Sequence, residues 1–205
     1  MINLYNEDCL EAMKRMEDDS YDLAIVDPPY GIGAENHQGK KENGWNQWKK
    51  KDWDQSRPNK EYFEQLFRVS NNQVIWGGNY FVDCLICSMG WIVWNKGQRN
   101  FSLSDGELAF SSFSRALRIF DYPRAKCLKE KRIHPTQKPV ALYTWILSNY
   151  AKPGDKILDT HLGSGSIAIA CHNLGFHLDG YELDVEYYNA AKKRLEEHQR
   201  QLRLF

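Results

Sequence analysis

The 205 residues are enough for one domain with a sizeable core, and 42% hydrophobic against 26% charged residues is the balance of an ordinary folded protein. Lys plus Arg and Asp plus Glu are equal at 27 each, so any surface for a polyanion must concentrate its charge locally. No apolar run reaches membrane-spanning length and no basic-then-apolar leader opens the chain, which excludes a membrane partner and predicts a cytoplasmic location.

Asn3–Tyr5 predicts a short strand, and residues 7–16 a helix start with Leu10 and Met13 in helical spacing. Asp22–Val26 (DLAIV) is a short apolar run stopped by Pro28 and Pro29, the pattern of a buried strand ending in a rigid turn. Residues 31–58 are long, polar and Trp-containing, with no clean period; such a loop is functional or disordered. Residues 60–69 read as a helix, and Gln73–Trp76 as a buried strand closed by Gly77 and Gly78. Trp91–Trp94 and Glu107–Phe113 read as two further strands. Residues 139–150 predict a helix opened by Pro139, followed by a strand at 156–159, an apolar helix at 167–174, a strand at 177–181 and a charged helix at 184–202. Strands alternating with helices predict one α/β domain, doubly wound around a mostly parallel sheet.

The five cysteines are odd in number and the chain is not loop-rich, so reduced thiols are expected rather than a disulfide framework. Cys84 and Cys87 form a CxxC inside an apolar run without further ligands at metal spacing; both read as core thiols, and no metal site is predicted.

Leu158–Ser166 (LDTHLGSGS) runs from a strand through Gly163, Ser164 and Gly165 into a helix. Glycines let the backbone approach a ligand, and the helix start offers unpaired N–H groups. Alone, this loop suits a dinucleotide, a methyl donor or a plain tight turn. Glu182, at the end of the next strand, adds a carboxylate that can accept from both hydroxyls of a ribose, and the pair points to a nucleoside.

Asp27-Pro28-Pro29-Tyr30 follows a buried strand, where open α/β sheets bind their ligands. A turn would use the same residues. Its chemistry, however, suits an exocyclic amine of adenine or cytosine, a poor nucleophile because its lone pair is delocalised. The Asp27 carboxylate and the Pro28 carbonyl can accept its two N–H bonds, and Tyr30 can stack on a base taken out of the duplex. Positioning and electrostatics then carry the acceleration.

This tetrapeptide together with the GSGS loop and a downstream acid resembles the amino-methylating DNA methyltransferases. The tetrapeptide precedes the loop, and His134-Pro135-Thr136-Gln137-Lys138-Pro139 comes just before it. That order resembles the circularly permuted β class, as do residues 77–81 (GGNYF) and 94–96 (WNK). The resemblance implies a Rossmann-like methyltransferase fold with an antiparallel edge strand, and S-adenosylmethionine as cofactor. It implies that Asp8 and Cys9 sit near the donor's adenine, that Thr136 and Lys138 hold its methionine carboxylate, and that Asp27, Asp159, Gly163, Ser164, Gly165 and Glu182 complete the site. Asp27 favours N6 of adenine, because Ser commonly replaces it in enzymes acting on N4 of cytosine. Thr160 and His161 depart from the family's Pro and aromatic residue. A catalytically silent DNA-binding subunit is the alternative of another class, disfavoured because the tetrapeptide and both glycines are present.

For a DNA partner, the basic residues cluster between Arg115 and Lys138, with Arg124, Lys126, Lys129, Lys131 and Arg132 as the expected contacts. Lys49, Lys50 and Lys51 are interleaved with Trp45, Trp48 and Trp53, a mixture suited to phosphate contact and base stacking, with packing of the tryptophans on the domain as the equal alternative. Only residues 97–133 remain for target recognition, which predicts relaxed or very short sequence specificity. The tail, Gln201, Leu202, Leu204 and Phe205, resembles the peptide by which bacterial proteins bind the sliding clamp. Family members often form homodimers.

Overall fold

The apolar run at residues 22–26 is the middle of a parallel layer because neither of its faces meets water. In the computed structural model, which describes residues 1–34, 51–100, 104–127 and 132–201, it forms β2 (Tyr21–Val26) of an eight-stranded sheet. The other strands are β1 (Ile2–Tyr5), β3 (Ser70–Trp76), β4 (Ile92–Asn95), β5 (Gly106–Ser111), β6 (Arg118–Asp121), β7 (Lys156–Asp159) and β8 (His177–Tyr181). Their order is β1-β8-β7-β2-β3-β5-β4-β6. All neighbours are parallel except β5, which runs antiparallel to both β3 and β4.

Period-two alternation divides each central strand between two cores. Leu23 and Ile25, Val74 and Trp76, and Ile157 face α4 (Val140–Tyr150), α5 (Ser166–Leu174) and α6 (Val185–Arg200). Ala24, Val26, Ile75 and Leu158 face α1 (Cys9–Lys14) and α2 (Lys60–Val69). Helix starts are held by side chains: Asp8 accepts from the Leu10 and Glu11 amides, Asn59 from Tyr62, and Asp184 from Glu186 and Tyr187. Each such cap stabilises its helix by about 1 kcal/mol.

Register aligns the functional ends. Val26 pairs with Ile75, Leu158 with Asp179 and Asp159 with Gly180, so β2, β3, β7 and β8 finish along one edge of the sheet. Asp27, Gly77, Thr160 and Glu182 follow those strands directly.

Three expectations are corrected. The antiparallel strand is not at the edge: β5 is enclosed because β4 and then β6 extend the sheet beyond it. The basic stretch holds a strand, β6, that the sequence did not announce, followed by the short helix α3 (Arg124–Cys127). Cys87 is exposed and Cys84 half-buried, since the chain leaves the core after Phe81 and exposes Val82 and Ile86. Among the described residues no helix is long and apolar enough to cross a membrane.

Candidate active site

β2 delivers Asp27 to the sheet edge in the middle of a chain of alternating charges. Its Oδ1 accepts the Tyr30 hydroxyl at 2.7 Å, and its Oδ2 accepts Lys138 Nζ. Lys138 also pairs with Glu107 at 3.2 Å, and Glu107 with Lys96 at 2.5 Å. The Lys138 side chain is only 3% exposed, and an isolated ammonium there would be driven to neutrality. Burial does press its pKa down, but the Asp27 and Glu107 carboxylates outweigh this and hold it above the ordinary lysine value. Burial likewise opposes the Glu107 charge, yet Lys138 and Lys96 bring its pKa down to about 2.

Tyr30 is held as firmly. Its ring stacks on Tyr80 at 4.9 Å and meets the edge of Phe81 at 6.0 Å. Gly77 has φ +70°, and a Cβ there would lie 2.2 Å from the Tyr30 ring, so glycine is required on both counts. The exposed face of this aromatic stack belongs to Tyr80. Asp54, fully buried, accepts from the Gly31 and Ala34 amides at 2.9 and 2.8 Å and fixes the chain leaving the tetrapeptide.

Two cavities meet at Asp27. The first, of about 380 Å³, is lined by Asp8, Cys9, Asp27, Thr136, Lys138, Thr160, His161, Gly163, Ser164 and Glu182 among others. Its size suits a small ligand. Glu182 is aimed by two backbone amides, Gly163 at 2.8 Å and Asp184 at 2.9 Å, with lone pairs left for a ligand's hydroxyls. Burial raises its pKa. Asp159 and Gly165 lie behind the lining. Asp159 accepts from the His161 amide at 3.0 Å, and burial, with Asp27 and Glu182 nearby, pushes its pKa up to about 8. Gly165, at φ +69°, starts α5 where a Cβ would crowd Ala191 of α6 at 3.1 Å. The second cavity, of about 370 Å³, is lined by Pro28, Tyr30, Ile32, Asn79, Tyr80, Glu107 and Leu108. Asp27, Pro29, Trp53, Thr136 and Lys138 line both.

A carboxylate between a nucleoside-sized cavity and a second, aromatic-walled one suits methyl transfer to an amine, and the chain is similar to proteins of that kind. The DNA methylase family model of N6/N4 methyltransferases matches residues 93–193. The Type II methyltransferase M.HpaI of Haemophilus parainfluenzae is 27% identical over 91% of this chain and 72% of its own length. M.HinfI of Haemophilus influenzae is 24% identical over 93% of this chain and 67% of its own. The M1.HpyAVI–SAM complex superimposes with a TM-score of 0.62 at 25% identity, covering 95% of this chain and 99% of that one. The chain is a DNA methyltransferase, similar over residues 93–193 to the N6/N4 enzymes.

Several of this methyltransferase's site residues were missed in the sequence. Glu107 and Lys96 come from β5 and the end of β4, far in sequence from the Lys138 they support. His134 lines the first cavity, stacked edge-on against Tyr187 at 4.3 Å and bonded to Thr136 at 3.1 Å. Burial holds its pKa down to about 3, so the ring is neutral. Trp53, whose packing or stacking role was open, packs against His134 at 5.2 Å.

The nucleic-acid candidates divide. Lys51 is not free for phosphate: it pairs with Asp184 and with Glu186 at 3.0 Å and lies over the ring of Tyr187, which lines the first cavity. Arg124 and Lys126 follow β6 on the edge of the sheet that carries the site, whereas Arg115 and Arg118 lie at the opposite end of that strand. β6 thus splits the basic stretch into two surfaces. Arg132 is half-buried and donates to the Pro135 carbonyl, bracing the segment that carries Thr136 and Lys138. Lys49, Lys50, Lys129, Lys131, Trp45 and Trp48 lie outside the described residues. So do Leu202, Leu204 and Phe205; Gln201 ends α6.

Proposed function

We propose that this enzyme transfers the methyl group of S-adenosylmethionine to N6 of adenine in DNA, and that it is a circularly permuted, β-class member with Asp27-Pro28-Pro29-Tyr30 as its catalytic tetrapeptide. The observation that carries this reading is the place of Asp27 in the shared wall of the two cavities. The first cavity fits the donor: Glu182 is oriented for ribose hydroxyls, Asp8 and Cys9 border the nucleoside end, and Thr136 and Lys138 the amino-acid end. Bound there, S-adenosylmethionine supplies an electrophilic methyl group on a sulfonium.

The protein's own groups do the rest. Each Asp27 oxygen keeps a lone pair beyond its bonds to Tyr30 and Lys138, so it can accept an amine N–H without losing either. The Pro28 carbonyl accepts the second N–H and the aromatic pair Tyr30 and Tyr80 covers the flipped base. Asp27 then takes the proton that the amine sheds after transfer. Gly163, Ser164, Gly165 and Asp159 shape the donor loop, and Arg124, Lys126 and Arg132 supply positive charge on the DNA side.

Residues 97–133 support relaxed specificity for a structural reason. β5, β6 and α3 take over a third of this segment, and the two strands belong to the sheet itself, which shortens the chain available to read base edges. Gln201, Leu202, Leu204 and Phe205 are proposed as a sliding-clamp peptide on sequence grounds; clamp capture should disappear when the last five residues are deleted.

Nucleoside mass spectrometry of methylated DNA tests the reading. N6-methyladenine that is absent with Asp27→Ala supports it. N4-methylcytosine would keep the mechanism and change the base. No modified base in unmethylated DNA, with donor binding intact, would overturn the proposed substrate.

A further inference from the structure

We infer that His161 is a hydrogen-bond donor to the methyl donor, presenting an Nε2–H to an acceptor atom of its nucleoside half. The inference rests on the donor-binding reading above and concerns a position where this chain departs from the aromatic residue its family resemblance leads one to expect.

The proton on Nε2 follows from satisfying buried hydroxyls. Tyr62 is buried in the core beneath the donor loop, and its hydroxyl lies 2.7 Å from Thr160 Oγ1, its one partner among the described residues. Were Tyr62 to accept there, its own proton would be orphaned in the core at the full cost of desolvation. Tyr62 therefore donates to Thr160. The single proton of the Thr160 hydroxyl is then free to go to His161 Nδ1, 2.9 Å away. Nδ1 is the acceptor and Nε2 carries the hydrogen. Burial depresses the His161 pKa to about 4, so at neutral pH the ring holds one proton and its position is decided by this relay.

The Nε2–H is poorly met within the protein. Its neighbour is Cys9 Sγ at 4.0 Å. Burial pushes the Cys9 thiol up to about 12, so it stays an S–H group, whose sulfur is a weak acceptor. His161 and Cys9 both line the donor cavity. They line it together with Asp8 at the start of α1, the end that the reading above gives to the nucleoside. A hydrogen-bond donor with only a thiol to meet among the described residues, on the wall of a nucleoside pocket, selects a ligand acceptor such as a ring nitrogen or ribose oxygen.

Isothermal titration of the full chain with S-adenosylhomocysteine and with 5′-methylthioadenosine, which lacks the amino-acid half, tests this. His161→Phe should weaken both ligands by about tenfold, the worth of one buried hydrogen bond. His161→Gln, which can place an N–H near Nε2, should recover most of the loss, and Thr160→Val should lose part of it by releasing the ring. Nitrogen NMR of the free protein should show the Nε2–H tautomer. Unchanged affinity in a folded His161→Phe variant, a penalty that vanishes with 5′-methylthioadenosine, or an Nδ1–H tautomer each overturns the inference while leaving the donor site standing. Failure of the unaltered protein to bind S-adenosylhomocysteine overturns the donor-binding reading itself.

Discussion

The two cavities that meet at Asp27, one proposed for the methyl donor and one for the target base, are built by different means. On the proposed donor side, a glycine loop, a helix start and a carboxylate aimed by two backbone amides set the frame, and side chains such as His134, His161 and Tyr187 line it. On the target side, the decisive carboxylate is held by side chains alone, through Lys138, Glu107, Lys96 and Tyr30, drawn from four separate stretches of the sequence. Backbone-made sites follow from local sequence; side-chain networks exist only once the sheet has assembled.

If the division is real, the two sides should fail differently. The largest effect belongs to Asp27. Asp27→Asn keeps the shape but removes the charge that polarises the amine and takes its proton, and kcat should fall by about three orders of magnitude. Donor affinity, measured by titration, should move by no more than a few-fold. Glu182→Gln should do the reverse, raising donor KM with kcat largely kept. Equal losses of donor affinity in both variants would erase the distinction.

Lys138→Met is next. It leaves the half-buried Asp27 and Glu107 carboxylates without their shared cation, and breaking such a pair costs roughly 2 kcal/mol. Urea unfolding should show that loss, and adding Glu107→Gln should restore part of it, because fewer unpaired charges remain. A double variant less stable than the single one would mean that Lys138 acts by packing on Trp76 rather than by charge.

The same contrast explains what the sequence made legible. The α2 helix has the bounds its apolar spacing predicts, and the apolar runs at residues 22–26, 73–76 and 156–159 all became central strands, because burial on both faces leaves a continuous apolar signature. The tetrapeptide and the glycine loop were readable because each is a local device. β6 was not, since it is an edge strand with Arg118 and Ile119 exposed and only Phe120 packed against the core, which leaves no alternation to detect. Glu107 looked like an ordinary strand-end acid. Lys51 looked like one of a run of basic residues on a DNA-facing loop, and only the fold reveals the Asp184 and Glu186 carboxylates beneath it.

Protonation sharpens the donor side further. Burial, with Asp27 and Glu182 close by, keeps the Asp159 carboxyl protonated until about pH 8. A cationic donor favours its ionised form. Donor affinity should therefore rise as pH climbs toward 8 and level off above it, by at most about tenfold per pH unit. Titration in buffers of different ionisation enthalpy should show proton release on binding, absent in Asp159→Asn. The raised pKa has the opposite consequence for the free fold: between the ordinary carboxyl value and 8 the native state holds a proton the unfolded chain has lost, so this group's contribution to stability declines over that window as pH rises.

The smallest effect tests whether the donor side has any side-chain device of its own. Lys51 bridges Asp184 and Glu186 across the rim of the donor cavity, with its ammonium 4.3 Å from the centre of the Tyr187 ring. Partly solvated ion pairs of this kind contribute under about 1 kcal/mol, so Lys51→Ala should barely change stability. Its consequence should be kinetic. Without the clamp between residues 51–54 and the start of α6, the donor should dissociate a few-fold faster at low salt, and the difference should shrink as ionic strength screens the pair. Stopped-flow displacement of the donor at several salt concentrations measures this directly. A salt-independent change would assign the effect to the packing of Trp53 on His134, and no change at all would mean that this ion pair has no part in holding the donor.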